Sequence, residues 1–287
     1  MIEISMGPNI IDSGSFVLSW HGFLSFIAVI VAVLLTARLA PKHGISTDDV
    51  YAVATWGILG GVIGARLLHV IDEADFYWDN PEKIIQVWNG GIAVWGGVLG
   101  GLAGAWIYAS RVGIVRGRLA DITAPGLLLA MGIGRIGDII NGEHLADATD
   151  LPWAFVWTHA SSISYQAHLD PLTGIVAGSH PAVVYEAILD LTIVALALWV
   201  LPKLMRPDGM VFAASLSLYA FGRAFILIFH DYSTWFWGLN EAQVVSILVL
   251  MVTVPILAVK GKFGQFGPPE PLEMRKEARA VRRRSNH

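Results

Sequence analysis

The sequence contains no cysteine, and only 15% of its 287 residues are charged, whereas about 25% of the residues are charged in typical soluble domains. The lack of cysteine excludes disulfide bonds and thiolate metal sites. The scarcity of charge, together with 55% hydrophobic residues and a mean hydropathy of +0.59, indicates a membrane protein. Lysine and arginine are also absent from the first 37 positions. The apolar run there is too long for a cleaved signal peptide, so we expect it to be retained.

Seven stretches are long and apolar enough to cross a bilayer, since a spanning helix needs about 20 mostly apolar residues. They are residues 16–40, 50–71, 91–110, 119–140, 181–202, 210–230 and 242–260. The third and fourth are rich in glycine, and the fourth is interrupted by Pro125. The sequence therefore predicts an all-α polytopic membrane protein with about seven transmembrane helices.

Lysine and arginine are concentrated on one side of these predicted spans. With the N-terminus outside, the outer side receives only Lys83. The inner side then receives Arg38, Lys42, Arg111, Arg116, Arg118, Lys203, Arg206 and the eight basic residues of the tail. The positive-inside rule therefore predicts an outside N-terminus and a cytoplasmic C-terminus. Three arginines lie within the spans, namely Arg66, Arg135 and Arg223.

Two segments outside the spans are predicted to be ordered. In DNPEKIIQVW we expect Asn80 to cap a short amphipathic helix that begins at Pro81 and lies at the outer membrane interface. The segment PWAFVWTH at 152–159 predicts a strand with aromatic anchors. The predicted organisation is a membrane domain over 1–263, with an interfacial arm at 72–90 and a small external cap at 141–180, followed by a basic cytoplasmic tail at 264–287.

Two glycine-rich motifs place small residues three and four positions apart. They are GGVIGAR at Gly60–Arg66 and GGVLGGLAG at Gly96–Gly104. This spacing is typical of close helix packing in lipid, and we favour that interpretation over a backbone that approaches a bound headgroup. Because no strand precedes either motif, neither is a dinucleotide-binding fingerprint.

The intramembrane arginines need partners, because a charge at bilayer depth costs about 2.5–3.5 kcal/mol even on the lenient insertion scale. Asp138 is three residues after Arg135 on the same helix face, which is consistent with a structural ion pair. Arg223 has no acid within four residues on either side. Several guanidiniums inside a membrane also suit an anion such as a lipid phosphate, to which arginine offers two parallel donors. Both hypotheses remain open at this point.

Polar residues from several spans are predicted at one depth. With the N-terminus outside, the stretch MGIGRIGDIINGEH at 131–144 ends the fourth span on the outer side. His180, Tyr185 and Glu186 enter the fifth span from that side, and His21 lies early in the first span. A lone membrane histidine more often makes an interhelical hydrogen bond than acts as a base. The convergence nevertheless predicts a pocket that opens towards the outer leaflet.

Six motifs occur together along residues 16–230. They are SWHGF, GARLLHVI, NGGIAVWGGVLGG, GRIGDIINGEH, HPAVVYE and YAFGRAFI. The fourth resembles GRxGNFxNGE, the signature of prolipoprotein diacylglyceryl transferases, and the six appear in that family's order. The combination is specific, although no single motif would be.

The resemblance implies transfer of the diacylglyceryl group of phosphatidylglycerol to the lipobox cysteine of a prolipoprotein signal peptide. A thioether would form and glycerol phosphate would leave, so a cysteine-free enzyme is no obstacle. The resemblance further implies a bacterial inner-membrane enzyme that faces the outer leaflet and needs no cofactor, metal or nucleic acid. The alternative is a transporter or lipid-binding membrane protein that holds an anionic headgroup with the same arginines; a weaker alternative is another lipid-phosphate transferase.

The resemblance also assigns residues. Arg135 matches the signature arginine that contacts the lipid phosphate, and Arg223 matches a second essential arginine. The expected catalytic residues are Arg135, Arg223, His21 and Glu143. The expected residues for binding the phosphate and headgroup are Arg135, Arg66, Asp138, Asn141, Gly142, His180, Tyr185 and Glu186.

This sequence departs from the family pattern at two positions. Asp138 stands where the signature has its first asparagine, which places an acid within reach of Arg135. Trp95 stands where many members have a histidine that is often proposed as the base. Three residues therefore remain candidates for the base. They are Glu143, His69 and His21, and His21 stands where many members have a tyrosine.

Overall fold

The computed structural model describes residues 1–14, 17–87 and 90–264, most of them in helices. The helices are α1 (Trp20–Leu39), α2 (Thr47–Asp72), α3 (Ala74–Asp79), α4 (Val94–Arg111), α5 (Arg116–Asn141), α6 (Ile163–His168), α7 (Ala182–Ala195), α8 (Leu201–Leu204), α9 (Met210–Ile226) and α10 (Glu241–Lys260). A π-helical segment, Leu196–Val200, connects α7 to α8. The strands are β1 (Ile2–Ile4), β2 (Asn9–Asp12), β3 (Val17–Ser19), β4 (Phe155–Trp157), β5 (Met205–Arg206) and β6 (Lys262–Phe263).

Among the described residues, six helical segments are long and apolar enough to cross a membrane. They are Trp20–His43, Thr47–Asp72, Arg116–Asn141, Ala182–Leu204, Met210–Phe229 and Glu241–Lys260. The chain therefore has the composition of an all-α polytopic membrane protein. The third predicted span forms α4, which is helical but is not among these six, so the count of seven stays a prediction. The predicted tail, apart from residue 264, lies outside the described residues.

The described chain forms two compact units. The first comprises residues 1–35 and 120–264, and the second comprises 36–119. The predicted external cap is part of the first unit, and the predicted interfacial arm is part of the second. The proposed division at residue 263 stays a prediction.

Short strands tie the N-terminus and the cap together in the first unit. β1 pairs in parallel with β4, with Ile2 opposite Phe155 and Ile4 opposite Trp157. The strand predicted in PWAFVWTH is therefore confirmed. The buried indole of Trp157 donates a hydrogen bond to the carbonyl of Ile139, 2.8 Å away, and so anchors the cap to the end of α5. The pairs β2–β3 and β5–β6 are both antiparallel.

A carboxylate of α5 holds the start of α9. Asp121 accepts hydrogen bonds from the backbone N–H groups of Gly209 at 2.7 Å and Phe212 at 2.8 Å. These N–H groups belong to the first turn of α9 and its N-cap, where no intrahelical acceptor exists. The interaction fixes α9 against α5, and α9 carries Arg223 fourteen residues from Gly209.

Helices α2 and α4 of the second unit cross at glycines. A Cβ atom on Gly60 would collide with the Gly100 carbonyl, and one on Gly96 would collide with the Gly64 carbonyl. Gly104 makes a similarly close approach to the carbonyl of Trp56. Such contacts need residues without a side chain, since they bring two backbones together. The packing interpretation of both glycine motifs is confirmed.

The prediction of an α-helix that begins after Asn80 is wrong. Pro81–Lys83 forms only one 3₁₀ turn, and the α-helix of this region is α3, which ends just before Asn80. The Asn80 side chain donates to the carbonyl of Phe76 at 3.0 Å and accepts from Lys83 Nζ at 2.8 Å. Its oxygen is engaged by a lysine, so it does not cap the N–H groups of a following helix.

Gly100 and Gly97 offer a matched test of the crossing, because they lie one turn apart on α4. We expect Gly100→Ala to destabilise the protein by about 1–3 kcal/mol, the usual cost of overpacking. At Gly97 the nearest atom to an added Cβ is the Ala65 Cβ at 3.6 Å, an ordinary contact, so Gly97→Ala should be tolerated. Thermal unfolding of the two purified variants in one detergent measures the difference. Equal stability of the two variants would contradict the crossing.

Candidate functional site

A cluster of charged side chains lies inside the first unit. It joins α5, which carries Arg135 and Asp138, to Glu186 on α7, Arg223 on α9 and His21 at the start of α1. All five were predicted as site residues, and the structure brings them together.

Glu186 bridges the two arginines. One of its oxygens lies 2.5 Å from Arg135 Nη2, and the other lies 3.3 Å from Arg223 Nη1. Arg135 Nη1 also contacts Asp138 at 3.0 Å, so the ion pair predicted from their spacing is confirmed. The acid that pairs with Arg223 is therefore on α7, since its own helix has none. Arg223 also donates a 2.7 Å hydrogen bond to the Tyr219 hydroxyl. Three helices are thereby joined by ion pairs.

Asp138 has two histidines as neighbours in addition to Arg135. Its Oδ1 lies 2.5 Å from Nδ1 of His21, and its Oδ2 lies 3.4 Å from Nε2 of His144. Nδ1 of His144 in turn lies 2.8 Å from the hydroxyl of Tyr232. Burial raises the pKa of Tyr232, which keeps that hydroxyl neutral beside the histidine. Burial likewise lowers the pKa of His230, whose ring stacks on Tyr232.

The turn after α5 places Glu143 and His144 beside the cluster. Gly142 has a φ of +69° and His144 a φ of +61°, so the chain reverses through left-handed backbone, a region that glycine occupies without strain. A Cβ on Gly142 would also collide with the hydroxyl of Ser162. Glu143 consequently folds back, accepting a 2.8 Å hydrogen bond from the amide of Asn141 and lying 3.6 Å from His21 Nδ1.

The cluster has a buried floor and an accessible rim. The Arg135 side chain is only 9% exposed, and those of Asp138 and Glu186 are almost fully buried. Arg223 is 21% exposed and His21 is 42% exposed. Glu143 and His144 are accessible to a similar degree as His21. A polar ligand that enters the cluster would therefore meet the rim before Arg135.

His180 and Tyr185 pack at the start of α7 rather than within this ion-pair cluster. The rings of both contact Phe229, with centroid distances of 4.9 Å and 5.7 Å. The Tyr185 hydroxyl accepts a hydrogen bond from the Trp153 indole at 3.0 Å. His180 Nδ1 is buried, with no hydrogen-bond partner among the described residues. Their roles towards substrate stay predictions.

Arg66 belongs to the second unit, where backbone carbonyls satisfy it. It donates to the carbonyls of Lys83, Ile84, Gly90 and Gly91 at 2.5–2.7 Å. These contacts supply the partners that a buried guanidinium requires, and they hold the predicted arm against α2. Its predicted contact with substrate stays a prediction.

A cavity of about 230 Å³ lies beside Arg66 in the second unit. Its walls include His69, one of the predicted candidate bases, together with Tyr77 and Lys83. The His69 ring makes an edge contact with that of Tyr77. Trp95, at the position where the resemblance led us to expect a histidine, lies on α4 and is half exposed.

Comparison with known proteins gives a consistent result. The family model described as "Prolipoprotein diacylglyceryl transferase" matches residues 8–259. This chain belongs to that family. A relative from Acaryochloris marina (strain MBIC 11017), named "Phosphatidylglycerol--prolipoprotein diacylglyceryl transferase", is 32% identical over 85% of this chain and 87% of its own length. Relatives with the same name come from Dehalococcoides mccartyi (strain CBDB1), 32% identical over 89% and 94% of the two chains, and Synechococcus elongatus, 31% identical over 86% and 84%.

Membership of this transferase family confirms the resemblance carried by the six motifs. The alternative of a transporter or lipid-binding protein gains no support, because the family and these relatives are named as transferases.

Three residues that lie in or beside the cluster were not predicted as site residues from the sequence. His144 directly follows the NGE of the signature, and that adjacency was the available signal. Tyr219 precedes Arg223 by four residues, so it shares a helix face with a residue already selected. Tyr232 had no local signal, because only the fold brings it to His144.

Three donor groups of the cluster, two at the rim and one in the buried floor, have the spacing of a metal site. One atom each of His21, Asp138 and Glu143 lies within 4.8 Å of the others. A divalent cation could use such a set, although Arg135 already binds the second oxygen of Asp138 at 3.0 Å. Repulsion from that guanidinium disfavours a cation at this point.

Glu186 and Glu143 provide a matched test of the buried bridge. Glu186→Gln removes the charge that two arginines share, and breaking such a buried pair costs about 3–5 kcal/mol. We therefore expect a strong loss of membrane abundance and thermal stability. Glu143→Gln, at the accessible rim, should leave both nearly unchanged. Quantitative immunoblotting of membranes and unfolding of purified protein measure the two effects, and normal abundance of Glu186→Gln would contradict the bridging role.

Proposed function

We propose that this protein transfers the diacylglyceryl group of phosphatidylglycerol to the lipobox cysteine thiol of prolipoproteins, releasing glycerol phosphate. Membership of the transferase family supports this reaction, and one structural observation supports the location of the active site. Arg135 and Arg223 are held side by side by a single buried carboxylate, Glu186. Two guanidiniums positioned in this way offer parallel donors to a phosphate.

The proposed reaction is a displacement at a glycerol carbon. A sulfur–carbon bond forms as the bond between that carbon and the phosphate oxygen breaks, and the thiol loses its proton. The phosphodiester becomes a monoester, so negative charge accumulates on the departing phosphate. Arg135 and Arg223 would stabilise that charge, because donors already oriented in a water-poor site need no reorganisation.

His21 is the proposed acceptor of the thiol proton. Its Nδ1 lies 2.5 Å from Asp138, which orients the ring and favours a proton on that nitrogen. Nε2 is then the basic nitrogen, on a side chain that is 42% exposed. Glu143, 3.6 Å from His21, would stabilise the imidazolium that forms. The released glycerol phosphate can carry the proton away, since its second ionisation lies near pH 6, as for other phosphate monoesters.

The proposed setting is the bacterial inner membrane, with seven spans, an outside N-terminus and a cytoplasmic tail. α4 would supply the seventh span, packed through its glycines against α2. The 141–180 segment would then form an external cap above an active site that faces the outer leaflet. The asymmetric distribution of lysine and arginine supports this orientation.

Arg135 variants test the phosphate role. Lysine keeps the charge but replaces a planar fork by a single point charge. We expect Arg135→Lys to lower the rate of lipidation by about 10²–10³-fold, the usual loss for one oriented donor. Arg135→Ala should be worse, because Asp138 and Glu186 would both lose a partner. A mass shift on a lipobox peptide, with phosphatidylglycerol as donor, measures the reaction.

Membrane abundance separates this role from a structural ion pair. If the arginine only pairs with acids, lysine substitutes tolerably and the alanine variant fails by low abundance. Near wild-type lipidation by a normally inserted Arg135→Lys would contradict the phosphate role.

Single cysteines test the orientation cleanly, since the chain has none of its own. Leu172 in the cap segment is 94% exposed, and Lys203 at the end of the fifth predicted span is also exposed. In intact spheroplasts we expect Leu172→Cys to react with a membrane-impermeant maleimide and Lys203→Cys to react only after permeabilisation. The reverse pattern would overturn the orientation together with the outer-leaflet placement of the site.

A further inference from the structure

One buried carboxylate of the first unit has no assigned role. Asp190 lies one turn beyond Glu186 on α7 and is fully buried. Neither of its oxygens has a hydrogen-bond donor among the described residues. Its side chain faces α5 at Gly132, where an added Cβ would lie 3.7 Å from the Asp190 Cβ. The hydroxyl of Ser215 on α9 is likewise buried and without a partner in the described part of the chain.

The charged and titratable groups around Asp190 come from three helices. They are Arg135 on α5, Glu186 one turn away on its own helix, and Arg223 and Tyr219 on α9, all of which interact with Asp190 electrostatically. Both arginines are already engaged by Glu186, and Arg135 by Asp138 as well. An ionised carboxylate in this position would be desolvated without a hydrogen bond and close to a second negative charge. Both conditions favour the neutral acid.

The charge balance of the cluster points the same way. Arg135 and Arg223 carry two positive charges, and Asp138 and Glu186 carry two negative ones. An ionised Asp190 would give the buried groups a net negative charge, which repels a phosphodiester. A neutral Asp190 leaves the buried charges balanced, so an anionic headgroup can approach the arginines.

We propose that Asp190 is a positioning residue, held as a neutral carboxylic acid behind the arginine pair so that the pair accepts the phosphate of an anionic lipid. The proposal rests on the proposed function for the identity of that lipid. Asp190 itself touches neither substrate; it acts through Arg135 and Arg223. Ionisation of Asp190 at alkaline pH would therefore weaken lipid binding without any change in the lipid.

Equilibrium binding of phosphatidylglycerol to the purified full-length protein tests this directly. We would measure affinity from about pH 6 to about pH 9, without a lipobox peptide, so that no thiol titrates. We expect the wild type to lose affinity about tenfold on the alkaline side, the effect of one pKa unit of coupling. Asp190→Asn keeps the shape and charge of the neutral acid and should lose less than about twofold over that range.

Asp121→Asn is the matched control, since Asp121 is a buried aspartate of α5 whose oxygens accept two backbone N–H groups. This substitution should lower the stability of the protein. The loss of lipid affinity at alkaline pH that we expect for the wild type should remain in this variant. Identical pH profiles for the wild type and Asp190→Asn would overturn the proposal. So would loss of binding at every pH in a normally inserted Asp190→Asn, which would mean that the ionised form is needed. Binding is measured separately from transfer. A wild type that binds lipid with this pH profile but never lipidates a peptide would refute the proposed function and leave the proposal for Asp190 standing.

Discussion

The bridge from Glu186 to two arginines is the interaction on which the first unit depends. A membrane interior offers no water to satisfy a charge, so each buried guanidinium must be paired within the protein. Glu186 meets that requirement for Arg135 and Arg223 together, and in doing so fixes α7 against both α5 and α9. Asp138 completes the arrangement on α5 and connects it to His21 on α1. The helix packing and the proposed chemistry consequently rest on the same few contacts.

Contacts at both ends of these helices keep the bridge in place. Asp121 holds the first turn of α9, which limits how α9 can slide along α5. At the opposite end of α5, Trp157 donates to the carbonyl of Ile139 and Gly142 allows the reversal that returns Glu143. The cap strand pair β1–β4 is thereby attached to the helix that carries Arg135. These local features are independent of one another in sequence, yet each restricts the same helix.

Features that depend on local spacing could be predicted from the sequence, and features that depend on packing between helices could not. Hydropathy predicted the long helices, and the i, i+3 spacing predicted the pair Arg135–Asp138. The partner of Arg223 could not be derived, because Glu186 is on another helix and only the packing of α7 on α9 selects it. The helix predicted after Asn80 was wrong for a related reason. The capping rule does not take into account that Lys83 donates to the Asn80 oxygen while the Asn80 amide donates to the Phe76 carbonyl.

The gradient of exposure across the cluster explains how a preorganised site can remain open to a lipid. Arg135 is desolvated and oriented by Asp138 and Glu186 before any substrate arrives, so binding need not strip water from it. Arg223 is more exposed and holds Glu186 by a single 3.3 Å contact, the weaker arm of the bridge. In the proposed reaction the phosphate therefore contacts Arg223 first. It then binds between the two arginines, beside the Glu186 carboxylate. The balance of buried charge decides whether that exchange is favourable, and the acids of α7 set that balance.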